Sequence, residues 1–528
     1  MIVRDNEDTI EACLESIYPW VDEIIIVDTG SKDRTIEICR RFGARIFEFP
    51  WCDDFSAARN ESLRHALGDW IFWMDSDDVI DQEQGRRLRE LVYGQHTADC
   101  MGYVMQVHCP QSEIGQMTVV DHVKIFRNRP DLRFEHRIHE QILPAIGRAG
   151  GMVALTDLFV VHQGSIQTPE VRQRKLERDF RILAKDLEDR PDHPFVLFNL
   201  GMTHEDAGNF AIAEEFLKRS IAMAKPEESH LRKVWALLVN CQCRLGRLAE
   251  AIETAGTALR HFPGDKEVLF RRAILLRDAG QLEAAVNDYQ RILTENVDRV
   301  LASIDPSIMG HKLHYNFAMT LMDLGNTDEA SHHWRLALRE CPQFIPAWIS
   351  LARMLVEQKQ PEALQDLISE IPDDRVLDST CAILNAFLAS LLDDILAVQR
   401  ILATAWTATG DPDCLDELCR ILTERDMLPN ALPYLHQLQA ARPEEPSVLH
   451  NLGLALHACG QSEEGKVVLY RCIELAPDRI LTICQLARIC KETGDVESAL
   501  RLIREALQRH PGDASLNEML KSLNSPLN

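Results

Sequence analysis

The sequence lacks most of the features that mark secreted, redox-active or nucleic-acid-binding proteins. Its 15 cysteines are scattered, odd in number and include no Cys-x-x-Cys pair, which excludes a zinc ribbon or a thioredoxin-type site and favours a reducing compartment. Its 57 Lys and Arg are outnumbered by 82 Asp and Glu, which gives a net charge of −25. A chain this acidic offers no broad positive field, so we expect no nucleic-acid partner.

Long hydrophobic runs are absent as well. The longest nearly uncharged stretch, residues 381–392, is too short to span a bilayer, and the acidic N-terminal residues do not read as a secretory leader. We therefore expect a soluble cytoplasmic protein with no transmembrane segment. With 46% apolar residues over 528 positions, the chain has enough apolar material for a core spread over about three domains.

Two sequence patterns meet between residues 165 and 190. In the first part, short apolar runs at residues 24–27, 45–49 and 70–74 predict buried strands, and the amphipathic stretches between them predict helices. Strands that alternate with helices are typical of an α/β domain with parallel strands. We place this domain at residues 1–165 and a linker helix at residues 166–192.

The second part, residues 193–528, is purely helical and repetitive. Gly246 and Gly280 lie 34 residues apart, as do Gly460 and Gly494, and this is the tetratricopeptide period. The pattern predicts an all-α tetratricopeptide solenoid in which residues 370–425 are degenerate repeats. One register joins the turn glycines Gly208, Gly246, Gly280, Gly325, Gly460 and Gly494, the small residues Ala213, Ala251, Ala285, Ala330, Gly465 and Ala499, and the helix-ending Pro263, Pro342, Pro477 and Pro511.

An acidic cluster, Asp75-Ser76-Asp77-Asp78, directly follows the strand predicted at residues 70–74. In sheets of this kind the carboxyl ends of strands line the ligand crevice, so we expect Asp75 and Asp77 at its mouth. Carboxylates this close repel one another unless a cation lies between them, and hard oxygen ligands suit Mg²⁺ or Mn²⁺. A bare Asp-x-Asp also arises by chance in an acidic chain, and it is the position after a strand that favours a site here.

Two further motifs have a similar placement. Asp28 ends the strand predicted at residues 24–27 and precedes Gly30, which permits a tight turn. A strand–turn–helix junction without a ligand would look the same. Residues 51–60 lead into the next predicted helix and contain Arg59.

Taken together, these motifs resemble the N-terminal half of a family 2 glycosyltransferase of the GT-A fold. The resemblance is carried by Val-Asp-Thr-Gly-Ser at 27–31, the Trp-Cys-Asp-Asp-Phe and Ala-Arg-Asn runs within 51–60, Gly-Asp-Trp at 68–70 and the acidic cluster at 75–78. It is closest to a bacterial subgroup, several members of which carry C-terminal tetratricopeptide repeats. The implied fold is a Rossmann-like mixed sheet. Family members have a longer first strand than residues 1–3 provide, so a start upstream of Met1 is one expectation.

The resemblance also implies roles for individual residues. Asp28 would contact the nucleotide base or ribose, and Arg59 would lie near the base or the phosphates. Asp75 would contact the ribose or the sugar and contribute to the metal site. Asp77 would hold a divalent metal, Mn²⁺ or Mg²⁺, on the diphosphate of the donor.

Segments further along the chain resemble the later motifs of the subgroup. Glu140 is the candidate catalytic base or acceptor contact, and His162 is a candidate metal ligand. The alternatives are a surface carboxylate and a histidine that serves only the fold. A zinc protease is excluded because Leu143 stands where an HExxH motif needs histidine. In the basic run at 172–178, Lys175 and Arg178 would reach the donor phosphates, and the alternative is a solvated helix face.

These inferences predict a metal-dependent, inverting hexosyltransferase that moves a sugar from a UDP-sugar to a peptide, protein or glycan acceptor. The solenoid would recruit the acceptor, bind a partner protein or mediate self-association. The alternative is a non-catalytic tetratricopeptide scaffold with a decayed transferase domain, and the intact Asp28, Arg59, Asp75 and Asp77 argue against decay. A nucleotidyltransferase is disfavoured because the sequence has no glycine- and lysine-rich phosphate loop.

Overall fold

A computed structural model describes residues 1–111, 116–165, 168–295 and 303–524. By spatial contact the chain divides into two compact units, Met1–Phe344 and Ile345–Asn528. The first unit holds the α/β part and the first helical repeats, and the second unit holds the later repeats. The domain boundaries proposed from the sequence at residues 165 and 192 stay predictions.

A small parallel sheet opens the chain. Its strands are β1 (Ile2–Val3), β2 (Ile25–Asp28) and β3 (Arg45–Glu48), in that order across the sheet. Helices α1 (Ile10–Ile17) and α2 (Thr35–Arg41) connect the strands. The buried side chains of α1 are the four that the sequence pattern places on one face, Ile10, Cys13, Leu14 and Ile17.

A larger mixed sheet follows. Its strands are β4 (Trp70–Phe72), β5 (Asp78–Val79), β6 (Cys100–Pro110), β7 (Met117–Arg127) and β8 (Met152–His162). Their order across the sheet is β4–β7–β6–β8–β5. Strands β6 and β8 run parallel, whereas the other neighbours pair antiparallel. The sequence predicted the strand β4 but not its partner. That partner is β7, which runs antiparallel to β4 and also pairs with β6.

Helices cover both faces of the mixed sheet. They are α3 (Phe55–His65), α4 (Gln82–Tyr93) and α5 (Leu143–Arg148). On one face Leu88 of α4 packs with Met105 and Val160, and on the other Leu63 of α3 packs with Val104. Helix α3 begins at Asp54, whose side chain accepts a hydrogen bond from the Ala57 backbone N–H at 2.8 Å. That cap fixes the first turn of the helix that carries Arg59.

The remainder of the described chain is mainly helical. Helix α6 (Pro169–Asp189) precedes a series of helical hairpins, and no helix in the described ranges is long and apolar enough to cross a bilayer. The hairpins are α7 (Pro194–Asp206) with α8 (Phe210–Met223), α9 (Leu231–Arg244) with α10 (Leu248–His261), α11 (Lys266–Asp278) with α12 (Leu282–Thr294), α13 (His311–Asp323) with α14 (Thr327–Glu340), α15 (Ile345–Glu357) with α16 (Pro361–Ser369), α17 (Asp378–Leu391) with α18 (Ile395–Thr409), α19 (Pro412–Glu424) with α20 (Leu428–Ala441), α21 (Pro446–Ala458) with α22 (Ser462–Leu475) and α23 (Ile480–Glu492) with α24 (Val496–Arg509), after which α25 (Ala514–Asn524) follows.

Each hairpin turn places one residue in the left-handed region. The six turn glycines that the sequence identifies have φ between 74° and 85°. In the hairpins between Gly325 and Gly460 the same place is held by Lys359, Asp393 and Asp426, with φ of 54°, 64° and 57°. These residues follow Gly325 at intervals of 34, 34 and 33, so the repeat register continues where the sequence pattern was lost. A search for glycine spacing misses these repeats because the marker glycine is replaced.

Replacing Lys359 with glycine is expected to stabilise the unit Ile345–Asn528 by about 1 kcal/mol. A non-glycine residue in the left-handed region costs roughly 1–2 kcal/mol, part of which the greater freedom of glycine in the unfolded chain offsets. Thermal unfolding of the full chain measures the shift. Lys359→Ala is the matched control, since it removes the exposed side chain but keeps the Cβ atom, and an equal gain in both variants would contradict the explanation.

An insertion between Gly280 and Gly325 contributes one more strand to the mixed sheet. Strand β9 (Ser303–Ile304) pairs antiparallel with β7, with Val119 opposite Ile304. Lys233 on α9 donates a hydrogen bond to the Ser303 carbonyl oxygen at 3.1 Å. The 45-residue spacing of these two glycines therefore includes a segment that links the repeats to the sheet within the first unit.

Candidate active site

The mixed sheet brings aspartates and a histidine together at one end. Asp75 follows β4 after the buried Trp73 and Met74. The antiparallel register of β5 and β8 pairs Asp78 with His162, the last residue of β8. Ligand atoms of Asp75, Asp78 and His162 all lie within 4.8 Å of one another. The topology thus assembles oxygen and nitrogen donors of the kind that hold a divalent cation.

A buried arginine lies against this acidic cluster. Arg59 on α3 donates from Nη2 to Asp75 Oδ1 at 2.6 Å and from Nε to Glu140 Oε1. Its guanidinium also lies over the ring of Trp73, 4.2 Å from the centroid. Burial alone would lower the pKa of Arg59, but the charges of Glu140 and Asp75 outweigh it and raise that pKa. Arg59 is therefore a fixed positive charge between two carboxylates.

At Asp75, the effect of nearby positive charges outweighs that of burial and keeps the carboxyl group ionised. Burial favours the protonated acid, but the charges of Arg59 and Lys124 hold the pKa of Asp75 well below its usual range. Its side chain is still 37% exposed, so the carboxylate can meet a ligand. Asp75 thus offers a stable negative charge at the edge of the site.

A second buried cation, Lys124 of β7, neutralises Asp78. Its Nζ lies 2.6 Å from Asp78 Oδ2 and 3.8 Å from Asp75 Oδ2, and both Lys124 and Asp78 are fully buried. The other oxygen of Asp78 lies 3.0 Å from Nδ1 of His162. Burial would lower the pKa of His162, but the hydrogen bond to Asp78 and the charges of the three aspartates raise it above its ordinary value.

Asp77 lies against His162 and Gly164. Its Oδ1 lies 3.4 Å from His162 Nδ1. A Cβ atom built on Gly164 would lie 2.0 Å from Asp77 Oδ2, so the carboxylate can take this position only because residue 164 has no side chain. Burial and the charges of Asp75 and Asp78 raise the pKa of Asp77 despite the nearby His162. Carboxylate and imidazole groups that lie this close together are ligands that suit a divalent cation.

Asp28 occupies a separate position. It ends β2 in the small parallel sheet, and its Oδ1 accepts hydrogen bonds from the Ser31 backbone N–H at 2.9 Å and the Ser31 hydroxyl at 2.7 Å. The Gly30 N–H lies 3.3 Å from the same oxygen, and φ of Gly30 is 113°, which only glycine adopts freely. Asp28 therefore shapes its own turn, and its role toward a nucleotide stays a prediction.

A cavity of about 820 Å³ extends from the acidic cluster into the helical part of the first unit. Asp75, Arg59 and Glu140 line it on the side of the sheet, and Lys175 and Arg178 line it from α6. The structure thus brings five of the predicted site residues to one space, with Asp77 and His162 beside it. The helical wall includes residues of the first repeats, among them Phe195, Phe198, Met202, His230, Lys233 and Lys266.

Several residues of the site were missed by sequence reasoning. Lys124, Trp73 and His122 come from a strand or its continuation and were not assigned any role. Lys124 does carry a signal, because it is a lone lysine between Val123 and Ile125 in an apolar run. His122 lines the cavity, and burial together with Lys124 lowers its pKa to about 4, so its imidazole is neutral at physiological pH.

Comparison with known families agrees with the sequence motifs. Residues 1–152 match the family described as Glycosyl transferase family 2. Tetratricopeptide repeats match at residues 199–225, 243–298 and 446–479. The chain therefore carries a glycosyl transferase family 2 domain at its N-terminus and tetratricopeptide repeats after it.

Two curated relatives each match more than half of the chain. A TPR repeat-containing protein from Synechococcus elongatus is 29% identical over 306 residues, which are 57% of this chain and 66% of that protein. The SPbeta prophage-derived glycosyltransferase SunS of Bacillus subtilis is 25% identical over 309 residues, 56% of this chain and 70% of that protein. The chain thus matches about two thirds of the length of each relative. These matches support glycosyltransferase activity in general.

Among solved structures, a tetratricopeptide repeat protein from Parabacteroides merdae aligns at 16% identity with a TM-score of 0.32. The alignment covers 63% of this chain and 99% of that protein. The helical hairpins described above establish the repeat fold without it.

Proposed function

We propose that the protein is a metal-dependent, inverting glycosyltransferase that moves a hexose from a UDP-sugar to a peptide, protein or glycan acceptor. The observation that carries this proposal is the cluster of Asp75, Asp78 and His162, whose ligand atoms lie within 4.8 Å of one another, with Asp77 next to His162 and Arg59 bound to Asp75. The match to glycosyl transferase family 2 supports the reaction class. Location in the cytoplasm is part of the proposal and rests on the sequence.

The proposed role of each site residue follows from its charge. Mn²⁺ or Mg²⁺, when bound by Asp75, Asp77 and His162, would neutralise the negative charge that develops on the leaving diphosphate. Asp75 and Arg59 would orient the ribose and the phosphates, since the two side chains hold each other at 2.6 Å. Lys175 and Arg178 would add positive charge from the opposite wall of the cavity. Asp28 would contact the base or ribose from the end of β2.

The acceptor would enter through the cavity that joins the sheet to the first repeats. Glu140 lines this cavity and would take the proton from the attacking group of the acceptor. The repeats supply an apolar wall with Phe195, Phe198 and Met202, together with polar side chains. We propose that this wall holds the acceptor next to the donor, and that surfaces of the later repeats serve a protein partner or self-association.

The test is the effect of UDP and Mn²⁺ on thermal stability. A ligand at one hundred times its dissociation constant stabilises the folded state by about 2.7 kcal/mol, so a clear rise in melting temperature is expected for the full chain. The Asp75→Asn/Asp77→Asn double variant should lose most of this shift. No shift in the wild type, or an equal shift in the variant, would favour the non-catalytic scaffold instead. Screening UDP-glucose, UDP-N-acetylglucosamine and UDP-galactose for hydrolysis then identifies the sugar.

A further inference from the structure

The buried pair of Lys124 and Asp78 lies directly behind the proposed metal site. We infer that both are positioning residues: Lys124 neutralises Asp78, and Asp78 orients the ring of His162 so that its Nε2 meets the cation held by Asp75 and Asp77. This inference rests on the proposed function, because it assigns the metal ligands of that same site. It gives a role to Lys124, which lies outside every sequence motif, and to Asp78, to which the motif at 75–78 assigned none.

The contacts of Asp78 argue against a role as a metal ligand. Its Oδ2 accepts from Lys124 Nζ at 2.6 Å and from the Asp75 backbone N–H at 3.1 Å. Its Oδ1 faces His162 Nδ1 at 3.0 Å, so both oxygens are engaged. The ammonium of Lys124 lies 2.6 Å from Asp78 Oδ2 but 3.8 Å from Asp75 Oδ2, so like-charge repulsion opposes a cation on Asp78 more strongly than one on Asp75.

Exposure separates Asp78 from the other two aspartates. The side chain of Asp78 is fully buried, whereas those of Asp75 and Asp77 are 37% and 24% exposed. A ligand that enters from the cavity side or from solvent therefore reaches Asp75 and Asp77 first. Asp78 is left with the role of a carboxylate that supports its neighbours.

The orientation of His162 follows from the same contacts. Since Nδ1 faces Asp78, a bond from this ring to a metal has to use Nε2. A carboxylate behind a metal-binding imidazole fixes its tautomer and its orientation. Lys124 is needed because a fully buried carboxylate without a cationic partner would be strongly destabilised or would take up a proton.

The experiment measures Mn²⁺ binding rather than turnover. Free Mn²⁺ is followed by electron paramagnetic resonance in the presence of saturating UDP, with the full chain. The Asp78→Asn/Lys124→Gln double variant replaces the pair with neutral amides and so removes both charges. We expect its Mn²⁺ dissociation constant to rise about tenfold, which is the usual effect of losing a supporting carboxylate. Asp77→Asn is expected to have the larger effect.

A spectroscopic signal distinguishes positioning from a general loss of structure. The electron spin-echo modulation from an imidazole nitrogen on Mn²⁺ should be present in the wild type, altered in the double variant and absent in His162→Ala. The matched control is Asp288→Asn/Arg272→Gln, which removes another buried ion pair, with an Nη2–Oδ1 distance of 2.6 Å, on helices α11 and α12. That control should leave Mn²⁺ binding unchanged.

The outcomes separate this inference from the proposed function. If the wild type binds no Mn²⁺ with UDP, the proposed function fails and the inference fails with it. If the wild type and the double variant bind Mn²⁺ equally well, only the inference is overturned. A loss in Asp78→Asn as large as that in Asp77→Asn would also overturn it, since Asp78 would then be a ligand itself. The comparison of Asp78→Asn with Asp77→Asn still tests the inference if the double variant does not fold.

Discussion

Replacing Arg59 with methionine is expected to lower the free energy of unfolding by about 3–5 kcal/mol, because it leaves buried carboxylate charge without its cation. The side chains of Arg59 and Glu140 are 7% and 9% exposed, so water cannot take the place of the guanidinium. Asp75 retains Lys124 at 3.8 Å, but Glu140 loses its charged partner. UDP–Mn²⁺ binding should be lost as well. Urea unfolding of the full chain, followed by circular dichroism, measures the change.

Two variants control for this prediction. Arg59→Met/Glu140→Leu removes both charges of the pair and should recover a large part of the lost stability, since no lone carboxylate is left at Glu140. Arg41→Met breaks an exposed ion pair with Glu11, at 54% and 49% exposure, and should change stability by less than about 1 kcal/mol. An Arg59→Met protein as stable as the wild type would show that Glu140 does not depend on this arginine.

The variant Glu140→Gln is expected to slow sugar transfer by about 10²–10⁴-fold, the usual contribution of a general base. Glutamine keeps a carbonyl oxygen that can accept the hydrogen bond from Arg59 Nε, so the donor site should remain intact. The melting-temperature shift with UDP and Mn²⁺ should therefore equal that of the wild type. Transfer is measured with the sugar donor and acceptor that the hydrolysis and acceptor screens identify.

Other outcomes for Glu140→Gln would each indicate a different role for Glu140. Unchanged transfer by Glu140→Gln would place the base elsewhere, and the neutral His122 in the same cavity is the next candidate. Loss of the UDP–Mn²⁺ shift would mean that Glu140 acts through Arg59 and not on the acceptor. Glu140→Asp, which keeps the charge on a shorter side chain, should retain more transfer than Glu140→Gln if a base is needed at this position.

Residues at the ends of strands were predictable from the sequence. Asp75 and Asp77 follow an apolar run, and in the structure Asp75 comes after β4 and lines the cavity. The turn glycines were also predictable, because a backbone in the left-handed region favours glycine and these turns recur at a fixed period. Where Lys359, Asp393 and Asp426 occupy that position, the sequence has no glycine to identify the turn, although the turn remains.

The partners of the site residues were not predictable, because they depend on strand pairing over long distances. Lys124 reaches Asp78 across 46 positions, and His162 reaches it across 84. Both contacts follow from the register of β5, β7 and β8, which no local pattern of apolar residues fixes. Arg59 was assigned to the site by resemblance, but its contact with Glu140 likewise depends on how α3 and the segment before α5 pack together.

Strand β9 makes the α/β part and the repeats of the first unit structurally interdependent. A shortened protein that ends before residue 303 would leave Val119 and Val120 of β7 paired with β6 on one side and with no strand on the other. An exposed, apolar strand edge invites pairing with another molecule, so such a fragment would tend to aggregate. The transferase part and the early repeats are consequently best regarded as one folding entity, and exchange of repeats between related enzymes should be planned at positions beyond this strand.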